Sequence, residues 1–180
     1  MNRNKFISLE LAGLIFTLVI GIMLRYSIGI FGVNLWTMLI SSVNFSIWEG
    51  TKVFVFSYLI WMCFEYCVIK VPIRNFVVSK VLGMYTLLAV GLFVFWAING
   101  KMGLSNFLID AVLMFITIGC AYAVSCKFIL CDVKLNDFFV LSLFCIALFL
   151  AMYFYFVINP PHTEIFMDKY TYTYGLQFYF

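Results

Sequence analysis

Apolar residues run along this chain in five long blocks, each closed by a short polar interruption. The blocks cover about residues 8–30, 48–69, 76–98, 106–128 and 137–158. A helix needs ~20 apolar residues to cross the ~30 Å hydrocarbon core of a bilayer. Each block therefore predicts one membrane-spanning helix. Between the first two lies "FGVNLWTMLISSVNFSI", residues 31–47, which is too short to span. It reads as a re-entrant segment, an interfacial helix or an early extension of the second span. Irregular backbone at membrane depth is tolerated only against protein or water, so this stretch hints at a polar cavity. The hydropathy pattern shows no paired halves of the kind transporters build from repeats.

Composition agrees with the blocks. The 180 residues are 66% hydrophobic and 11% charged, whereas soluble domains carry roughly a quarter charged residues. The predicted fold is all-α: a polytopic bundle of about five spans, a short interfacial or re-entrant segment and an extended C-terminal tail. Residues 1–158 form the bundle and 159–180 an aromatic extracytoplasmic tail at the membrane interface. "MNRNKF" followed by a long apolar stretch reads as a retained first span and not a cleavable signal.

The net charge of +3 includes no basic run of the kind that binds nucleic acid. Distribution matters more. With five spans, Arg3, Lys5, Lys70, Arg74, Lys80, Lys127 and Lys134 fall on one side, and Arg25, Lys52, Lys101 and Lys169 on the other. Lys and Arg favour the cytoplasmic side, so the N-terminus reads as cytoplasmic and the C-terminus as outside. The six cysteines include Cys63 and Cys67, which share a helix face, and Cys126 and Cys131, which flank a loop. They lack metal-site spacing and read as small buried hydrophobes. No cofactor is expected.

Ionisable groups inside spans are costly and mark functional candidates. Arg25, Glu49, Lys52 and Asp110 come from three helices and reach a similar depth near the outer end, which predicts one charge cluster with Asn44 and Ser46 above it. The bland alternative is that these residues snorkel to the headgroups, or that Glu49 and Lys52, three apart, form only a local pair. Near the inner face, Glu10 and Glu65 read as structural, with Glu65 beside Lys70 or Arg74. Gly13 would let a helix approach closely.

Past Pro160 and Pro161, which stop the last helix, the alternation of Tyr170, Tyr172 and Tyr174 suits a strand-like strip with tyrosines toward the headgroups. A lid folded over the outer cavity is the competing reading. A metal site of His162, Glu49 and Asp168 is conceivable, since imidazole with carboxylates suits zinc or manganese.

Two stretches carry a resemblance. "VNFSIWEGTK" resembles the V-N-x-S-x-W-E-H-x-K motif of a family of small multi-pass bacterial membrane proteins, and "PPHTEIFMDKYTYTYG" is similar to that family's P-P-x-x-x-x-F-x-D-x-x-T-x-T-Y-G ending. With "LELAG" near the start, the resemblance covers essentially the whole chain. It carries over Asn44, Ser46, Trp48, Glu49, Lys52, Asp168, Thr171, Thr173, Tyr174 and Gly175, and places the protein in a bacterial plasma membrane. The family supplies no established activity. Gly50 stands where its motif has His, and Arg25 where a first-span His is common. Arginine cannot act as a base because it stays protonated, so a binding role is favoured over metal or imidazole chemistry.

The ligand-binding candidates are thus Arg25, Asn44, Ser46, Trp48, Glu49, Lys52, Asp110, Asp168 and Tyr174. They predict an outward-facing polar pocket for a small or lipid-linked ligand, with membrane lipids as the surroundings. Two other readings remain open. One is an intramembrane enzyme acting on a lipid or lipid-linked substrate, with Glu49 as general acid or base. The other is a structural subunit of a larger membrane complex.

Overall fold

The computed structural model describes residues 3–69, 71–104, 106–130 and 135–176, the side chain of Phe107 excepted. Lys70, Cys131 and Lys134, named above, lie outside the described residues, as do the first two residues of the proposed bundle and the last four of the proposed tail. Helices α1 (Arg3–Phe31), α3 (Ile47–Val68), α4 (Ile73–Phe95), α5 (Phe107–Leu130) and α6 (Phe139–Ile158) correspond to the five apolar blocks. A six-residue helix, α2 (Leu35–Ile40), lies between the first two. Among the described residues, five helices are long and apolar enough to cross a membrane. The protein is a multi-pass membrane protein.

The helices are turned according to polarity, but inverted relative to a water-soluble bundle. The exposed residues of α1 include Ile7, Leu11, Ile15, Val19 and Met23, at helical spacing. Its buried face reads Phe6, Glu10, Gly13, Thr17, Gly21 and Ser27. Lipid is as apolar as leucine, so polar and small residues mark the contact face. Gly13 packs on the rings of Trp61 and Tyr122, and Gly21 on Phe54. The close approach expected at Gly13 is therefore real. At 29 residues and ~1.5 Å per residue, α1 is about 43 Å long and exceeds the hydrocarbon core.

α3 carries the most buried polar groups and is the most buried span: Glu49, Thr51, Lys52, Ser57 and Glu65 are all inside. Around it, α1 packs on α3 and α5, and α4 on α3, α5 and α6. At Gly83 a Cβ would lie only 2.8 Å from the Ala121 carbonyl of α5, so the missing side chain lets α4 and α5 approach closely. At its far end α4 continues into a π-helical turn, Trp96–Lys101. Such turns are rare and concentrate at functional sites.

The 31–47 stretch is not an extension of α3. Asn34 caps α2 reciprocally with Thr37, and Leu35 and Trp36 lie about 70% exposed, as suits an interfacial helix. The chain then turns inward, and Ser41, Ser42, Val43, Asn44 and Ser46 are all buried. The Tyr153 hydroxyl donates to the Ile40 carbonyl, and the Ser27 and Ser41 hydroxyls bond to each other. Irregular backbone here is buried in protein, the condition under which a membrane tolerates it.

The tail departs from the strand-like strip predicted by its tyrosine alternation. Residues 161–176 form turns closed by a bridge between Met167 and Tyr174. Asp168 sets the turn, because its carboxylate binds the local N–H groups of Tyr170 and Thr171. Gly175 has a φ of +53°, and a Cβ there would lie 2.8 Å from the Val157 carbonyl. Only glycine meets both conditions without strain. Tyr170 and Tyr172 remain well exposed.

The cysteines were expected to be buried. Cys63 and Cys67 do share a face of α3, but they are exposed, as is Cys120. A thiol is small and apolar enough to face acyl chains as readily as a protein core.

Candidate functional site

The 43–52 stretch is held by its own polar groups. Ser46 caps α3 by accepting from the Glu49 N–H at 3.2 Å. Asn44 Oδ1 accepts from the Ser46 N–H at 3.0 Å, and the Ser42 hydroxyl donates to the Asn44 carbonyl at 2.7 Å. Glu49 Oε2 accepts from the Val43 N–H at 2.8 Å. Its Oε1 faces Lys52 Nζ at 2.7 Å. Neither residue snorkels: Lys52 is 0% exposed, and its ammonium lies 4.6 Å from the Tyr153 ring centre. Every buried charge here has a partner, as low dielectric requires.

The tail is clasped to this stretch. Asp168, also buried, accepts from the Phe45 N–H at 2.8 Å through Oδ2, while its Oδ1 binds the tail's own N–H groups. Asn44 donates to the Gly175 carbonyl at 3.3 Å, and the backbone N–H of Trp48 to the Ile165 carbonyl at 3.0 Å. The Trp48 ring stacks on Phe166 and meets Phe156 edge-on. Tyr174 packs on His162. Thus Asn44, Trp48, Glu49 and Asp168 join α3, the buried loop and the tail, while Lys52 pairs with Glu49 within α3 and Tyr174 packs within the tail. Among the described residues, His162, Glu49 and Asp168 do not come together as a metal-ligand set.

Of the four charges predicted to cluster, Glu49 and Lys52 form a direct ion pair among the described residues, and Arg25 and Asp110 do not. Glu49 and Lys52 pair inside the bundle, whereas Arg25 and Asp110 line a cavity of about 210 Å³ between α1, α3, α5 and the tail. Arg25 makes no ion pair or hydrogen bond among the described residues; it lies 5.7 Å from the Phe45 ring centre. Gly50 explains its position. A Cβ there would collide with the guanidinium, so the missing side chain is the space Arg25 occupies. Arg25 and Gly50 thus face each other where α1 meets α3. Asp110 Oδ1 accepts from Asn99 Nδ2 at 2.7 Å, and Asn99 is carried by the π-helical turn of α4. Ser46 also reaches the wall.

Lys169 joins this wall from the tail. Partial burial pushes its ammonium below the ordinary value of 10.5; Asp110 opposes that shift and Arg25 adds to it. Lys169, Asn99 and the π turn went unnoticed in the sequence as site components. The polar "NGK" closing an apolar block was the available signal. The cavity floor is apolar, formed by Leu18, Phe54 and Met114.

A second buried cluster sits toward the opposite ends of the helices. Lys80 Nζ lies 2.9 Å from Glu10 Oε2 and 2.5 Å from Glu65 Oε2, and it is 0% exposed. Glu65 thus pairs with Lys80, and Arg74 makes no ion pair among the described residues. Sequence position alone made Lys80 look like a flanking charge. Helix rotation places it inside, within 5.3–5.7 Å of the Tyr122, Phe76 and Tyr58 ring centres. The Ser125 hydroxyl completes Glu10 at 3.2 Å. Two carboxylates and one ammonium from α1, α3 and α4 tie the core of the bundle.

The model of the Family of unknown function (DUF6512) matches residues 1–176, and the chain belongs to that family. No curated protein and no solved structure matches it.

Proposed function

We propose that this member of a family of unknown function binds a small or lipid-linked ligand in the cavity between α1, α3, α5 and the tail, and does so without catalysis. One observation carries the reading. Arg25 stands in the cavity wall with five donors and no polar partner among the described residues. Arg25 is half-buried at that wall, and an Arg fork suits bidentate recognition of a carboxylate or phosphate. Glu49, the best catalytic candidate, is buried, engaged on both oxygens and absent from the cavity lining, which favours binding over proton transfer. The remaining candidates act by holding the loop and tail that shape the wall.

The cavity faces outward in the plasma membrane of a bacterium, with the N-terminus cytoplasmic. The charge bias supports this, and burial sharpens it. With Lys52 and Lys80 inside the bundle, six basic residues remain at the N-terminal side against three opposite.

Native mass spectrometry of the gently purified protein beside its Arg25→Gln variant tests the proposal. A bound species on the parent protein that is lost from a folded Arg25→Gln is expected. Equal adducts on both proteins, or none on either, would refute it. Labelling of Lys169 from the cytoplasmic side would overturn the orientation.

A further inference from the structure

The proposed function leaves the ligand's chemistry open, and the polar wall narrows it. Arg25 and Lys169 are cations, and Asp110 is the anion among them. In a low-dielectric recess such groups normally pair directly. Here they share a cavity, yet no oxygen of Asp110 comes within 4.0 Å of either cation. Asp110 Oδ1 is satisfied by Asn99. An ionised carboxylate can only accept, so the Asn99 amide must present its nitrogen to it. Oδ2 of Asp110 has no hydrogen-bond donor among the described residues. The cavity therefore offers unused donors on one wall, an unused charged acceptor on another, and an excess of one positive charge.

A ligand that completes this wall needs an anionic pole for Arg25, a donor for Asp110, and a net negative charge. We infer that it is a phosphoester bearing a neighbouring hydroxyl, a polyol phosphate, with phosphate on Arg25 and Lys169 and hydroxyl on Asp110. This rests on the cavity being a ligand site. A fatty acid has no donor to offer Asp110. A phosphocholine has neither a donor nor net charge, and a phosphoethanolamine leaves the excess positive charge uncompensated. The size agrees: about 210 Å³ falls below the roughly 300–1,000 Å³ of sites for drug-sized molecules, so a headgroup fits and a whole lipid does not. The floor beneath Arg25 is apolar, and the rim includes Ile22 and Tyr26 on the exposed face of α1. An acyl chain could leave through that side into the bilayer, so the same chemistry can come from a lipid or from a soluble polyol phosphate.

The test uses the full chain in nanodiscs made from phosphatidylcholine doped with one guest lipid, with retention read by native mass spectrometry after release into detergent. The guests are phosphatidylglycerol and phosphatidylpropanol, which have equal charge and differ by the hydroxyls. Free glycerol phosphate serves as a soluble competitor. The parent protein is expected to retain phosphatidylglycerol over phosphatidylpropanol by about tenfold, the worth of one hydrogen bond to a charged group. Asp110→Asn should erase that ratio while keeping the preference for both anions over phosphatidylcholine, since its amide oxygen still accepts from Asn99. Arg25→Gln should lose the anion preference itself. Displacement of the lipid by glycerol phosphate, or retention of glycerol phosphate alone, supports the same chemistry and assigns the source as soluble. Equal retention of both guests by the parent, with both lowered by Arg25→Gln, would overturn the hydroxyl assignment and leave the binding reading standing. If no guest or glycerol phosphate is retained above phosphatidylcholine, and Arg25→Gln matches the parent, both fail.

Discussion

Replacing Lys80 by Met keeps side-chain volume on α4 and removes the one cation shared by two buried carboxylates. The ammonium lies 2.9 Å from Glu10 and 2.5 Å from Glu65, with no solvent exposure. Removing one partner of a buried ion pair costs about 3–5 kcal/mol, because the remaining charge has no compensation. Neutral interhelical hydrogen bonds in membranes average only about 0.6 kcal/mol, so a loss of several kcal/mol identifies charge and not hydrogen bonding as the cause. For a chain of 150–250 residues, 1 kcal/mol corresponds to roughly 2–4 °C in Tm. Lys80→Met should therefore lower Tm by about 6–20 °C, followed by tryptophan fluorescence at fixed detergent and lipid. The informative companion is Glu10→Gln/Glu65→Gln/Lys80→Met, which deletes all three charges. It should recover most of the loss, since replacing a whole buried ion group by neutral residues is often close to neutral. A Lys80→Met shift below about 2 °C, or a triple variant less stable than Lys80→Met alone, would refute the reasoning.

Other outcomes follow from the same geometry. Gly50→Ala puts a methyl group where the Arg25 guanidinium sits. That end of Arg25 is flexible, and alanine favours the helix by about 1 kcal/mol, so Tm should hold or rise while ligand retention in native mass spectrometry falls to the Arg25→Gln level. Asp168→Ala removes the acceptor for the Phe45, Tyr170 and Thr171 N–H groups. It should cost roughly 2–3 kcal/mol and speed proteolytic cleavage in 161–176, and unchanged protection would contradict the clasp. Glu164 is exposed and held below its ordinary 4.5 by hydrogen bonds from Lys101 and Trp96 and by the Lys101 charge. A depressed carboxylate contributes above its unfolded value and loses that contribution as pH falls through the lower folded one. Acidification through and below pH 4.5 should therefore change Trp96 emission in the parent and not in Glu164→Gln, with a small, salt-sensitive amplitude.

What the sequence determined by itself was whatever the membrane enforces locally. A span needs ~20 apolar residues and must satisfy its own backbone, so all five helices were legible as apolar blocks. The stop at Pro160 and the unusual polarity of Asn44, Ser46, Glu49 and Lys52 were equally visible, because each is a local departure from what lipid tolerates.

Only the tertiary structure decided which polar group meets which. Lys80 looked like a flanking charge because the rotation of α4 is not written in its hydropathy, and its partner Glu10 is 70 residues away. Asp168 caps Phe45 across 123 residues, so the tail's tyrosine alternation could not reveal that an aspartate folds it into turns. Arg25 and Gly50 are 25 positions apart in the sequence, and that one fills the space left by the other depends on how closely α1 approaches α3. The same ambiguity misplaced the cysteines, since lipid and protein interior are equally apolar and composition cannot tell them apart. Length and polarity along one helix are local quantities. Pairing between helices is set by packing, where burial without a partner is costly enough to select a single arrangement.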